Sequence, residues 1–145
     1  MKYKIITISI LGLAMFLVFN VKPANQTQEY LQIGQNKIKI EIADDAAERT
    51  RGLSGRANLA QNHGLFFIFD APGNYGFWMK EMNFPIDIIW LNENWRVADI
   101  SKNLSPDSYP QIFFPSQPIK YVLEVNAGWS NQNDLQIGEE IQYHK

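Results

Sequence analysis

Between residues 37 and 42, apolar and polar side chains alternate strictly. Ile38, Ile40 and Ile42 share one face; Lys37, Lys39 and Glu41 share the other. A period of two predicts a half-buried strand. The short run 30–33 precedes it as a second strand, and Gly34-Gln35-Asn36 between them reads as a hairpin turn. Residues 65–69 are continuously apolar between Gly64 and Asp70, which suits a strand buried on both faces. Ala71-Pro72-Gly73-Asn74 reads as a turn. Strands are further expected over 77–82, 86–91, 95–100, 119–126 and 138–143, with Asn83-Phe84-Pro85 and Asn92-Glu93-Asn94 as connections.

Two stretches depart from this pattern. Residues 44–52 predict a short helix: Asp45 with Glu48 three positions on resembles a capping box, and Gly52 supplies a stop. Leu53 and Leu59 are expected to seat it on the core, and residues 129–135 suggest a second helical turn. Residues 101–117 form a long connection, because Pro106, Pro110, Pro115 and the following Pro118 oppose regular ladder bonding. Tyr109, Phe113 and Phe114 within it imply that it packs against the domain. Seven or eight short strands with one or two short helices define a mainly β (α+β) domain, a small barrel or sandwich, over residues 30–145.

The N-terminus belongs to a different regime. Lys2 and Lys4 precede an apolar run from Ile5 to Phe19, the form of a secretory signal or signal anchor spanning residues 1–24. The run is shorter than the roughly 20 residues of a comfortable membrane-spanning helix. A small-x-small cleavage site is poorly formed, since Lys22 would stand three positions before a cut after Ala24. Cleaved signal and retained anchor therefore both stay open; in the second case the segment ties the domain to a membrane. The two lysines favour an N-terminus inside and a domain outside, in the periplasm or at the cell surface. Residues 25–29 then form a polar linker.

Composition narrows the chemistry. The 145 residues include no cysteine and two histidines, which exclude disulfides, thiolate metal sites and a cysteine nucleophile. Neither a zinc pattern, a calcium loop nor a glycine-rich phosphate loop is present, so no metal and no cofactor is expected. Without Lys2 and Lys4, Lys plus Arg falls from 13 to 11 against 15 acids, a net −4. That balance gives no electrostatic reason to bind nucleic acid.

Few residues stand out as candidates. Asp87 interrupts a run that is apolar on both faces, so its carboxylate must be paired, hydrogen-bonded or open to a cavity. It is either a ligand-contacting or acid–base group, or a structural carboxylate held by backbone amides or a cation. Glu124 shares a strand face with Val122 and Asn126, which is either solvent or a site. Lys80 alternates with Trp78 and Met82, as a snorkelling side chain, a partner of Asp87 or an anion anchor. Arg51 and Arg56 flank Gly52-Leu53-Ser54-Gly55, where guanidinium forks suit a carboxylate such as Asp87 or Glu124. Ser54 follows a helix rather than a strand and so is no nucleophile elbow. His63, alone in a turn, is ordinary polar surface unless the fold brings it to Asp87.

Taken in order, Arg51-Gly52-Leu53-Ser54-Gly55-Arg56, Gly64-Leu65-Phe66-Phe67-Ile68-Phe69, Phe77-Trp78-Met79-Lys80-Glu81-Met82, Pro85-Ile86-Asp87-Ile88 and Tyr121-Val122-Leu123-Glu124, with Gly128 and Ile137-Gly138, resemble the domain of unknown function 192 family. The resemblance covers about residues 37 to 143, with Ser54 standing where the family often has Met. It implies a small, often exported, mainly β domain and carries no established reaction. The family's motif falls on Arg51, Gly52, Arg56, Trp78, Met79, Lys80, Asp87 and Glu124.

Three readings follow. The first is a binding module for an unknown small ligand, with Trp78, Lys80 and Arg51 lining a shallow pocket, Asp87 orienting them and the proline-rich loop at the rim. The second is a hydrolase or isomerase using Asp87 and Glu124 as acid and base, which requires the two carboxyl groups within about 5 to 9 Å for glycosidase-type work. The third is a structural envelope domain with an envelope protein as partner, in which Arg51, Lys80, Asp87 and Glu124 form an internal ion-pair network.

Overall fold

A computed structural model describes residues 28–145. The expected signal or anchor segment lies outside them, as does most of the expected linker. Of that linker, Glu29 already accepts a hydrogen bond from the Ile40 amide through its carbonyl.

The chain runs β1 (Tyr30–Ile33), β2 (Asn36–Ala43), α1 (Ala46–Arg51), β3 (His63–Gly73), β4 (Phe77–Trp78), β5 (Ile86–Leu91), β6 (Val97–Leu104), β7 (Ile112–Phe113), β8 (Ile119–Asn126), α2 (Trp129–Gln132) and β9 (Ile141–His144). Seven strands form one sheet in the order β6-β5-β8-β3-β2-β1-β9, and β4 pairs with β7 apart from it. All pairs are antiparallel except β2 with β3. The parallel pair requires a crossover, and residues 44–62, with α1, supply it.

The sheet curls until its edges meet. At the far ends of the order, Val97 N–H donates to Glu139 O at 2.9 Å, Gly138 N–H to Val97 O at 2.7 Å and Ile141 N–H to Trp95 O at 2.8 Å. This is the mainly β, barrel-like fold with two short helices that the pattern predicts. Its concave face holds one core of Leu31, Ile38, Phe66, Ile89, Leu123, Val125 and Trp129. The rings of Phe66, Trp95, Tyr121 and Tyr143 stack there at centroid separations of 4.2 to 6.2 Å. The convex face carries a second core of Leu65, Phe67, Ile86, Ile88, Trp90 and Val122, covered by Leu53, Leu59 and Met79. A sheet covered on both sides explains why all six residues of β5 are buried.

Several expected boundaries move, each for a local reason. The predicted strand 77–82 stops after Trp78, because Glu81 takes a left-handed φ of 56° and residues 79–82 form a turn closed by Met82 N–H on Met79 O. The predicted turn 71–74 is instead the end of β3, where pairing to β8 shifts register between Ile68 and Gly73 and frees Pro72 from the ladder. Trp95, at φ 59°, still belongs to the preceding turn, so β6 begins at Val97 and runs on to Leu104. The proline-rich connection folds down only in part: Phe113 packs against the convex core, whereas Tyr109 and Phe114, also expected to pack, stay about half exposed. Asp99 accepts the Ser116 amide at 2.9 Å, and Phe114 packs over Gly76.

Gly64 is required by packing. A Cβ there would stand 2.6 Å from Leu123 Cδ1 and 2.9 Å from the Glu124 carbonyl oxygen. Gly64→Ala is expected to cost about 1–3 kcal/mol by overpacking between two central strands. Urea denaturation checks this; an unchanged midpoint would show that β3 and β8 separate more easily than their contact implies.

Candidate functional site

Register decides which candidates can meet. Residues directly opposite in an antiparallel pair project to the same face. Asp87 pairs with Val125, and Ile88 pairs with Glu124. Asp87 therefore points to the concave side with Ile89 and Val125, and Glu124 to the convex side with Ile88. The sheet itself separates the two carboxyl groups, so they cannot act on one water or substrate as an acid–base pair requires.

Asp87 is completely buried and fully occupied. Its Oδ1 accepts the amides of Asn103 at 2.8 Å and Gly128 at 3.1 Å, and its Oδ2 accepts the Ser130 amide at 2.9 Å. Of the alternatives weighed from the sequence, backbone amides are the partners found. The carboxylate joins the end of β6 to the first turn of α2, where helix N–H groups otherwise lack acceptors.

Glu124 is the opposite case. It is also buried, yet its Oε2 has no hydrogen-bond partner. Burial pushes its pKa from 4.5 up to about 8, against the opposing pull of the Arg56 charge. It lies at the foot of a cleft of about 400 Å³ lined by Arg49, Arg51, Gly52, Phe67, Tyr75 and Trp78, among others.

The cleft is built by local devices. In α1, Asp45 caps the helix by accepting the Glu48 amide at 2.8 Å, and Gly52 ends it at φ 53°. The Glu48 carboxylate returns a bond to the Asp44 amide, one residue before the position a capping box would use. The segment after α1 is then pinned to the 79–83 turn. Ser54 Oγ donates to Lys80 O at 2.8 Å, Gly55 N–H to Glu81 O at 2.8 Å, and Asn83 Nδ2 to Arg56 O at 2.9 Å. Two motif blocks distant in sequence thus bond to each other. Gly52 is held over the buried acid, where a Cβ would stand 3.9 Å from Glu124 Oε2 and 3.5 Å from Phe67 Cζ.

The walls are aromatic and well supported. Phe69 and Tyr75 stack at 3.7 Å, with the Arg49 guanidinium 5.4 Å over the Phe69 ring. Phe77 sits edge-on to Phe67 at 4.9 Å and to Trp90 at 5.3 Å. Arg49 donates to the carbonyls of Asp44 and Ile68. Trp78 is 46% exposed at the mouth.

Of the sequence candidates, Arg51, Trp78 and Glu124 come together here. Arg56 does not pair with Asp87 or Glu124: its guanidinium binds Glu41 through two bonds of 2.8 Å, which raises its own pKa and lowers that of Glu41. Lys80 is exposed on the turn and is absent from the cleft lining; its carbonyl, rather than its ammonium, takes part. The proposed four-member ion network does not form. Among the described residues the ion pairs are Arg56–Glu41 and Arg96–Glu140. His63 bonds the Gln61 carbonyl through Nδ1 at 2.9 Å, away from Asp87.

Sequence reasoning missed Arg49, Phe69 and Tyr75 as lining residues. Tyr75 had a legible signal: an aromatic flanked by Gly73 and Gly76 has room to lie across a glycine, and its ring lies about 3 Å from where a Gly73 Cβ would be.

Fold and cleft together define a class, a small curled β domain with an aromatic cleft ending on a buried, unpartnered carboxyl group. The chain belongs to the domain of unknown function 192 family (DUF192), described as an uncharacterized ACR, which it matches over residues 29–143. Two solved structures share the fold. A protein of Sinorhizobium meliloti 1021, provisionally designated a transcription regulator, is 27% identical with a TM-score of 0.74, over 80% of this chain and 92% of that one. A protein of unknown function from Novosphingobium aromaticivorans DSM 12444 is 26% identical with a TM-score of 0.73, over 79% of this chain and 83% of that one. No curated protein matches the chain.

Proposed function

We propose that this protein is a ligand-binding module working outside the cytoplasmic membrane, with the α1–β3–β4 cleft as its site. The observation that carries the reading is Glu124 Oε2: a buried polar atom without a partner, at the foot of a preformed aromatic cleft. Leaving such a group unsatisfied costs about 1–3 kcal/mol, which a ligand supplying the missing hydrogen bond recovers. A cleft of about 400 Å³ falls in the range that holds small molecules. The lysine-flanked apolar N-terminus supports export. The regulator designation of the Sinorhizobium protein is not carried over, because a net charge of −4 outside the N-terminal segment offers no basic footprint for DNA.

The test is a thermal-shift screen of the full chain in mild detergent against sugars, cell-wall fragments, peptides, nucleotides, organic anions, organic amines and divalent metals. A ligand at 100 times its Kd adds about 2.7 kcal/mol and raises the melting temperature by several degrees. Trp78→Ala and Arg51→Ala are expected to stay folded and to lose that shift, since both side chains sit at the mouth. A screen with no hit, or a hit unaffected by both substitutions, would refute the reading and favour a structural role with an envelope-protein partner.

A further inference from the structure

The groups around Glu124 restrict what its ligand can be. From α1, Arg49 and Arg51 face the cleft, and Arg56 lies close enough to attract the carboxylate. From β3 come Phe67 and Phe69, from β4 Phe77 and Trp78, and from the turns Tyr75 and Met82. The Tyr75 hydroxyl is already committed to the Ala71 carbonyl at 2.8 Å. Among the described residues Glu124 is the only carboxyl group lining the cleft, so an organic cation would meet more positive than negative charge. The Arg51 guanidinium makes no hydrogen bond or ion pair with a described residue, and the Gly52 backbone lies over Oε2, where a Cβ would stand 3.9 Å away.

We infer that the cleft takes a small organic anion with a ring-sized apolar body, one acidic oxygen accepting a hydrogen bond from the Glu124 carboxyl and the negative charge lying toward Arg51. This rests on the binding reading above and names its ligand class. The apolar body stacks between Trp78 and the Phe69–Tyr75 pair. Glu124 must then be in its protonated form, because an ionised carboxylate would present only acceptors to the anion. Burial among aromatic rings favours that form, so binding takes up a proton only at pH values where Glu124 is ionised in the free protein.

The test uses three probes of one shape on the full chain: phenylacetate, phenylacetamide and 2-phenylethylamine, titrated calorimetrically between pH 6 and pH 9.5. Phenylacetate is expected to bind more tightly than the amine at pH 6 and to weaken about thirtyfold by pH 9.5, as Glu124 ionises. Phenylacetamide, with an acceptor oxygen but no charge, is expected to fall between them. Glu124→Gln keeps a donor at that position and should hold phenylacetate affinity flat across the range; Glu124→Leu, without a donor, should weaken it at every pH. Tighter binding of the amine, affinity for phenylacetate that rises with pH, or a pH slope that survives Glu124→Gln would each overturn the inference. If phenylacetate fails while a sugar or peptide from the wider screen binds, the ligand class is wrong and the binding module stands. If nothing in the screen binds, both fall.

Discussion

Asp87→Asn is expected to lower stability by about 3 kcal/mol, near 10 °C in melting temperature for a domain of this size, without abolishing ligand binding at the Glu124 cleft. The carboxylate is itself fully buried and accepts three backbone amides from two separate segments, the bond from Ser130 fully buried and those from Asn103 and Gly128 partly so. An amide of the same shape keeps one acceptor oxygen. If that oxygen serves Asn103 and Gly128, the new NH2 group faces the Ser130 N–H, donor against donor, in the first turn of α2. Asp87→Ala leaves all three amides unsatisfied and is expected to cost more, about 3–5 kcal/mol. Chemical denaturation with parallel ligand titration checks both. A variant of nearly native stability that no longer binds ligand would mean that Asp87 acts at a site after all.

Asp87 was legible in the sequence as an anomaly because its neighbours fixed its environment: a carboxylate among Ile86, Ile88, Ile89 and Trp90 has no solvent to face. Its partners were not legible, since Asn103, Gly128 and Ser130 are brought together only by the closing of β6 and α2 around the end of the sheet. Strands β5 and β8 were read with their observed ends, each beginning directly after a proline, Pro85 and Pro118. Two of the misplaced boundaries fell at Pro72-Gly73 and at Glu81. In the first, a turn-forming dipeptide sits inside a bulged strand. In the second, a non-glycine residue adopts a left-handed conformation that its side chain does not announce.

Glu124 was ambiguous for a different reason. A polar residue alternating with Val122 and Asn126 suits a solvent-facing strand equally well. The cover that buries it comes from α1 and the Gly52–Arg56 segment, joined to β8 through a crossover more than sixty residues away in sequence. Likewise Arg56, within the crossover, has its partner in Glu41 on the strand before it, a pairing made as the crossover folds back over β2. Sequence periodicity names the face a residue shares; it does not say what lies on that face.

Glu124 should also make folding stability fall as pH rises. Its folded-state pKa, about 8, lies above the unfolded value of 4.5. Between those values the native state holds a proton that the unfolded chain has released. The stabilisation is therefore complete below pH 4.5, declines through the interval and is gone above pH 8. The Glu124→Gln variant carries no such proton. Its stability relative to the wild type is expected to rise by roughly 3 kcal/mol between pH 5 and pH 8 and then level off. Any fixed cost of placing an amide at that position shifts the two curves by a constant and leaves the slope unchanged, so the pH dependence isolates the ionisation. Melting temperatures of both proteins from pH 5 to pH 9 provide the measurement. A flat difference would show that water reaches Glu124 in the folded state. Were Arg56 to outweigh burial and hold the group ionised, the difference would likewise stay flat above pH 5 and would fall with pH only below it. In either case the carboxyl group would be unable to donate to an anion near neutral pH, and the ligand class inferred for the cleft would fail with it.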